Sequence, residues 1–136
     1  MKKVFLGGTC NNSTWRDELI EKLEIEYFNP VVDDWTEACM LEEIEQREKC
    51  SECLYVITPK MTGVFAIAEA IEDSITRPEK TILCVLEKDG DQEFDIHQLK
   101  SLKQVCGIAK KYHSSVFNSL QDVADFLNLT SRLTVS

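Results

Sequence analysis

A single carboxylate, Glu69, falls where an open α/β domain does its chemistry. The stretch from Leu54 to Ser74 reads LYVITPKMTGVFAIAEAIEDS. Leu54 to Ile57 is a short run of β-preferring apolar residues, the pattern of a strand buried on both faces. Thr58-Pro59-Lys60-Met61-Thr62-Gly63 breaks that run, because Pro59 cannot donate to a ladder and Gly63 relaxes the backbone. From Val64 the period becomes helical, with Val64, Ile67, Ala68, Ile71 and Ile75 on one apolar face. Glu69 then lies in the second turn of this helix, close to the carboxyl end of a central strand. Ligands bind at that edge of open α/β sheets. The spacing therefore predicts Glu69 as the chemical centre. By the helical wheel it points off the apolar stripe, near Phe65 and Asp73, so a neighbouring loop or a second subunit must cover it.

A second stretch offers binding rather than reaction. Gly7-Gly8-Thr9-Cys10-Asn11-Asn12-Ser13 follows an apolar first strand, Lys3 to Leu6. Small and polar residues there let the backbone approach a ligand closely. A Gly-Gly-Thr loop feeding a helix N-terminus can hold an anion or a sugar hydroxyl. Thr14-Trp15-Arg16-Asp17 has the form of a capping box and opens a helix over Thr14 to Leu23. Trp15 and Trp35 can each stack on a base or simply fill the core.

The elements that must position these residues alternate strictly. A second strand over Tyr27 to Val32, interrupted by Asn29-Pro30, is closed by Asp33-Asp34-Trp35-Thr36. A helix over Glu37 to Cys50 precedes the Leu54 strand, and the Glu69 helix ends at Arg77-Pro78. Thr81 to Leu86 is a fourth strand, and Lys88 to Glu93 reads as a solvated connection. A helix over Ile96 to Lys111, a short strand over Ser114 to Phe117 and a helix capped by Ser119 complete one domain, residues 1–129, with 130–136 as a tail. The resulting βαβαβαβαβα order predicts an α/β, flavodoxin-like three-layer sandwich with a five-stranded parallel sheet of order 2-1-3-4-5. Its switch point between strands one and three brings the loop at Gly7 and the loop at Gly63 into one crevice.

Composition narrows the chemistry. A net charge of −9 argues against binding a nucleic acid polymer. No apolar run approaches the roughly 20 residues of a membrane span, and the short apolar start reads as a strand rather than a signal peptide. A cytoplasmic protein acting on a small molecule is expected. The six cysteines are scattered and read as reduced thiols. Cys50-Ser51-Glu52-Cys53 has neither a second pair nor a nearby histidine to complete a zinc set, so no metal or cofactor is expected.

The runs VFLGGTCNNSTWRDELI, FNPVVDDW and LYVITPKMTGVFAIAEAIEDS together resemble the nucleoside 2-deoxyribosyltransferase-like family, over roughly Val4 to Leu86. The resemblance implies cleavage of the N-glycosidic bond of a (deoxy)nucleoside or nucleotide, with transfer to another base or to water. It puts Glu69 at the position of the nucleophile, which forms a covalent deoxyribosyl ester, and it implies homo-oligomers. A carboxylate suits an oxocarbenium-like transition state. The departing base needs a proton, for which Asp34 is the first candidate and Asp33 the second. Gly7, Gly8, Thr9, Asn11, Trp15, Asp33, Thr62 and Gly63 are the expected substrate-binding residues. Two other readings of the same fold stay open, a non-catalytic nucleotide-binding module and a flavodoxin-like electron carrier.

Overall fold

The computed structural model describes residues 2–10 and 12–135, with side chains through residue 129. Five parallel strands form one sheet, β1 (Lys3–Gly8), β2 (Glu26–Phe28), β3 (Glu52–Ile57), β4 (Thr81–Val85) and, after a small hairpin, β7 (Ser115–Phe117). Their order is β2-β1-β3-β4-β7, the expected doubly wound arrangement with its switch point between β1 and β3. Every pairing within this sheet is parallel. The connecting helices are α1 (Trp15–Ile20), α2 (Glu37–Lys49), α3 (Phe65–Thr76), α4 (Ile96–Lys111) and α5 (Leu120–Val135). The last takes in most of the stretch read as a tail.

Strand alternation divides the core into two layers. Val4, Leu6, Leu54, Val56, Ile82 and Cys84 face one way and pack with Trp15 and Leu19 of α1 and Val123, Ala124 and Leu127 of α5. Phe5, Cys53, Tyr55, Ile57, Leu83 and Val85 face the other way, against Ala70 of α3 and Leu102 and Ala109 of α4. All six residues of β3 are buried, as expected of a central parallel strand.

Several local expectations change. The first strand runs on through Gly7 and Gly8, which pair with Tyr55 and Val56. Gly8 is obligatory there, since its φ is +119° and a Cβ would lie 2.1 Å from the Val56 carbonyl oxygen. The second strand ends at Phe28 rather than Val32, because Pro30 cannot donate to a ladder and the Asn29 side chain instead accepts from the Val31 amide at 3.1 Å. The capping box at Thr14 does not form. Its hydroxyl bonds the Glu18 carboxylate at 3.2 Å, and no side chain caps α1.

The charged segment read as a solvated connection is a two-stranded antiparallel hairpin, β5 (Lys88–Asp89) and β6 (Gln92–Glu93). Asp89 is buried, accepts a 2.5 Å hydrogen bond from Ser13 and lies 3.9 Å from Lys60. Lys60 in turn donates to the Asn12 carbonyl at 3.1 Å. The hairpin thus ties together the loops after β1 and β3.

The face of α3 also differs from the wheel. Val64, Phe65 and Ile75 are exposed, whereas Asp73 is almost fully buried. A buried carboxylate must be paired and hydrogen-bonded. Asp73 accepts from the Tyr55 hydroxyl, from Arg47 Nη2 at 2.9 Å and from Arg77 Nε at 3.0 Å. Polar pairing, not the apolar stripe, decides which side of α3 faces the sheet.

Candidate active site

Beyond the carboxyl ends of β1 and β3 lies an open cavity of about 850 Å³. Its lining includes Gly7, Gly8 and Thr9 from one loop and Thr62 and Gly63 from the other, with Glu69 on the wall formed by α3. The two loops therefore share one crevice, as the strand order requires.

The floor is staked from beneath. Arg16 is buried and donates to the carbonyls of Leu6 at 3.0 Å, Gly8 at 3.3 Å and Thr9 at 2.6 Å. Trp15 donates its indole N–H to the Thr9 carbonyl at 2.7 Å, with the Arg16 guanidinium 4.4 Å from its ring centre. Thr9 Oγ1 accepts from the Thr58 amide at 3.0 Å and joins the two loops. Buried backbone carbonyls need partners, and here two side chains of α1 supply them. Trp15 consequently packs under the loop. Trp35, exposed at the cavity rim, is the tryptophan that lines the space.

Glu69 does not depend on a second subunit for cover. Its side chain is 18% exposed and its carboxylate lies 3.5 Å from Arg47 Nη1 of α2. Arg47 is fixed in turn, donating through Nε to the Tyr55 hydroxyl at 2.8 Å and through Nη2 to Asp73. A chain of contacts runs from β3 through Tyr55 and Arg47 to Glu69. Burial raises the Glu69 pKa from its ordinary value, Arg47 opposes that rise, and the neighbouring acids Glu43, Asp73 and Glu72 add to it. Burial alone would lower the pKa of Arg47, but Tyr55 and Asp73 together outweigh it and hold the guanidinium charged.

Asp33 and Asp34 are exposed on the loop that follows β2 and are not among the lining residues. The early end of β2 at Pro30 moves them off the strand end, while Val31, Val32 and Trp35 of the same loop face the cavity. Asn11, also expected to bind substrate, lies outside the described residues. Sequence reasoning passed over Glu43, Arg47 and Arg16. Arg47 sat in the α2 pattern among glutamates, and only the buried partner Asp73 reveals its task. Glu43, one helical turn from Arg47, lines the same cavity.

Both members of the cysteine pair, Cys50 and Cys53, are buried and free. Cys53 donates to the Arg47 carbonyl at 3.2 Å, and burial pushes its thiol up to about 12. Among the described residues no cluster of histidine, cysteine and acidic side chains is arranged to hold a metal ion. No helix of the described residues is long and apolar enough to cross a membrane.

A doubly wound parallel sheet with a carboxylate-walled cavity at its switch point defines a class, the open α/β domain that binds a small ligand beyond its strand ends. A family model described as nucleoside 2-deoxyribosyltransferase like matches residues 1–88. That span covers well over half of the chain, and the chain belongs to this family. No curated protein and no solved structure matches it.

Proposed function

We propose that the protein cleaves the N-glycosidic bond of a (deoxy)nucleoside or nucleotide and passes the sugar to another base or to water. Glu69 attacks the anomeric carbon, and a C–O ester bond forms as the C–N bond breaks with its electron pair going to the base. A second nucleophile then displaces the ester. One observation carries this reading. The Glu69 carboxylate stands on the wall of the cavity, beside a guanidinium whose other hydrogen bonds are already committed. Arg47 keeps Glu69 aimed and favours its ionised form, which is the nucleophilic one. Gly8, Thr9, Thr62 and Gly63 line the side of the cavity we assign to the sugar, and Trp35 lines the rim we assign to the base.

The exposed Leu41 and Ile44 of α2, with Val64 and Phe65 at the start of α3, make apolar surface beside the cavity. We assign it to self-association, the contact between copies bounding the cavity mouth. The free thiols of all six cysteines suit a reducing cytoplasm.

The test is incubation with a panel of deoxynucleosides and their 5′-monophosphates, with and without a free acceptor base, followed by chromatography for released base. Release by the wild type and none by Glu69→Gln is expected, together with a sugar adduct on the Glu69 peptide after acid quench. Turnover by Glu69→Gln at the wild-type rate would reduce Glu69 to a wall residue. Binding without release would favour a nucleotide-binding module, a reading supported by the exposed position of Asp33 and Asp34.

A further inference from the structure

We propose that Glu43 is the acid that delivers the proton to the departing base, a role resting on the reading of Glu69 as nucleophile. The reaction needs two carboxyl groups in different states, one ionised to attack and one protonated to donate. Among the described residues that line the cavity, the acids are Glu43 and Glu69. Asp33 and Asp34 are exposed and off the lining. Asp73 is committed to Tyr55, Arg47 and Arg77, and Pro59 to Ala68 contains no acid.

The placement of Glu43 suits the task. It precedes Arg47 by four residues on α2, so the two share one face, about 6 Å apart along the helix axis. Arg47 marks the level of the Glu69 carboxylate, which lies 3.5 Å from it. Glu43 from α2 and Glu69 from α3 line the same cavity. The two carboxyl groups of retaining glycosidases are separated by about 5 Å, enough to straddle an anomeric carbon and its leaving group.

The partners of the two acids differ. Glu69 is paired with Arg47, whereas among the described residues no hydrogen bond or ion pair holds the Glu43 carboxyl. Burial raises the pKa of Glu43, with Arg16 from α1 and Arg47 from its own helix opposing and Glu69 from α3 facing it as a second acid. In the first half-reaction the Glu43 proton goes to the base nitrogen as the C–N bond breaks. In the second, the Glu43 carboxylate takes a proton from the incoming base or water as the Glu69 ester is displaced, restoring both groups.

Leaving-group dependence separates a proton donor from a residue that merely shapes the wall. Wild type, Glu43→Gln, Glu69→Gln and Asp34→Asn are compared on two kinds of deoxynucleoside. One kind is any ordinary nucleoside the wild type cleaves; the other is an N7-methylated purine deoxynucleoside, whose base departs without needing a proton. Glu43→Gln is expected to slow the ordinary substrate by about 10²–10⁴-fold and the methylated one by less than about threefold, with an unchanged urea midpoint. Glu69→Gln is expected to lose both. Equal loss of both substrates in Glu43→Gln, retention of both, or a leaving-group-dependent loss in Asp34→Asn instead would overturn the assignment. A wild type that releases no base from either kind overturns the glycosidic reading itself, and with it the role of Glu43.

Discussion

The Tyr55 hydroxyl offers the sharpest energetic test, because its removal changes a single atom in a largely buried network. In Tyr55→Phe the Asp73 carboxylate keeps Arg47 Nη2 at 2.9 Å and Arg77 Nε at 3.0 Å, but loses the phenolic donor, and Arg47 Nε loses its 2.8 Å acceptor. A hydrogen bond to a charged group contributes about 1.5–3 kcal/mol. The expected loss is therefore about 2 kcal/mol, which lowers Tm by roughly 6 °C for a chain of this size. With m near 1.5–2 kcal/mol/M, the urea midpoint falls by about 1 M at unchanged m. The buried Trp15 serves as the fluorescence reporter. Burial, and then the bond to Asp73, push the Tyr55 phenol far above its ordinary pKa. Below about pH 10 the phenol is protonated in both folded and unfolded chains, so the difference between variants stays level. Above that pH the unfolded phenol releases a proton that the folded one retains, wild-type stability falls, and the difference shrinks. Asp73→Asn is expected to cost more, about 3–5 kcal/mol, since two arginines lose their shared counter-charge. A Tyr55→Phe loss below about 0.5 kcal/mol, or strict additivity with Asp73→Asn, would refute the network as the anchor of Arg47.

Other outcomes follow from the same geometry. Glu69→Gln should shift stability by no more than about 1 kcal/mol, the range of partly exposed ion pairs, while abolishing base release; a large fall in urea midpoint would recast Glu69 as structural. Burial raises the pKa of both Glu69 and Glu43, so base release should follow a bell-shaped pH profile whose two limbs belong to the pair, and Glu43→Gln should remove one limb; a flat profile contradicts both roles. Gly8→Ala should cost about 3 kcal/mol or more, since its Cβ meets the Val56 backbone at positive φ, whereas Gly63→Ala, with open space around it, should be near neutral in thermal melts. Under native conditions iodoacetamide should label the exposed Cys10, which lines the cavity, and so inhibit the protein, while Cys53 and Cys84, whose thiols burial holds at about 12, react only after unfolding; peptide mass mapping distinguishes them.

Much of this architecture was legible in the residues. Alternating strand and helix patterns carried the strand order, and the strand order alone brought Gly8, Gly63 and Glu69 to one cavity. What could not be read were the side-chain ties that span the sequence. The joining of Ser13 to Asp89 turns a charged loop into a fastened hairpin, and nothing local to either residue announces it. The wheel put Asp73 on the solvent side, since an acid is exposed unless partnered, and its partners Tyr55 and Arg47 lie on other elements. The exposed placement of Asp33 and Asp34 was hidden for a different reason, because the breaker at Pro30 was visible and simply acted four residues sooner than the expected strand end. Glu43 gave no signal among the glutamates of α2.

The attachment of α2 has a consequence for motion. None of its residues is fully buried. It is held chiefly near its C-terminal end, by Arg47 against Tyr55 and Asp73 and by Lys80, which donates to the carbonyls of Glu48 at 2.8 Å and Cys50 at 2.9 Å. A helix with polar moorings at one end and little apolar burial elsewhere opens at a free energy well below that of the whole domain. Its first turns should therefore exchange their amide hydrogens long before the sheet does, while the amides around Arg47 persist. Glu43 lies between those two regimes, four residues before the anchored Arg47.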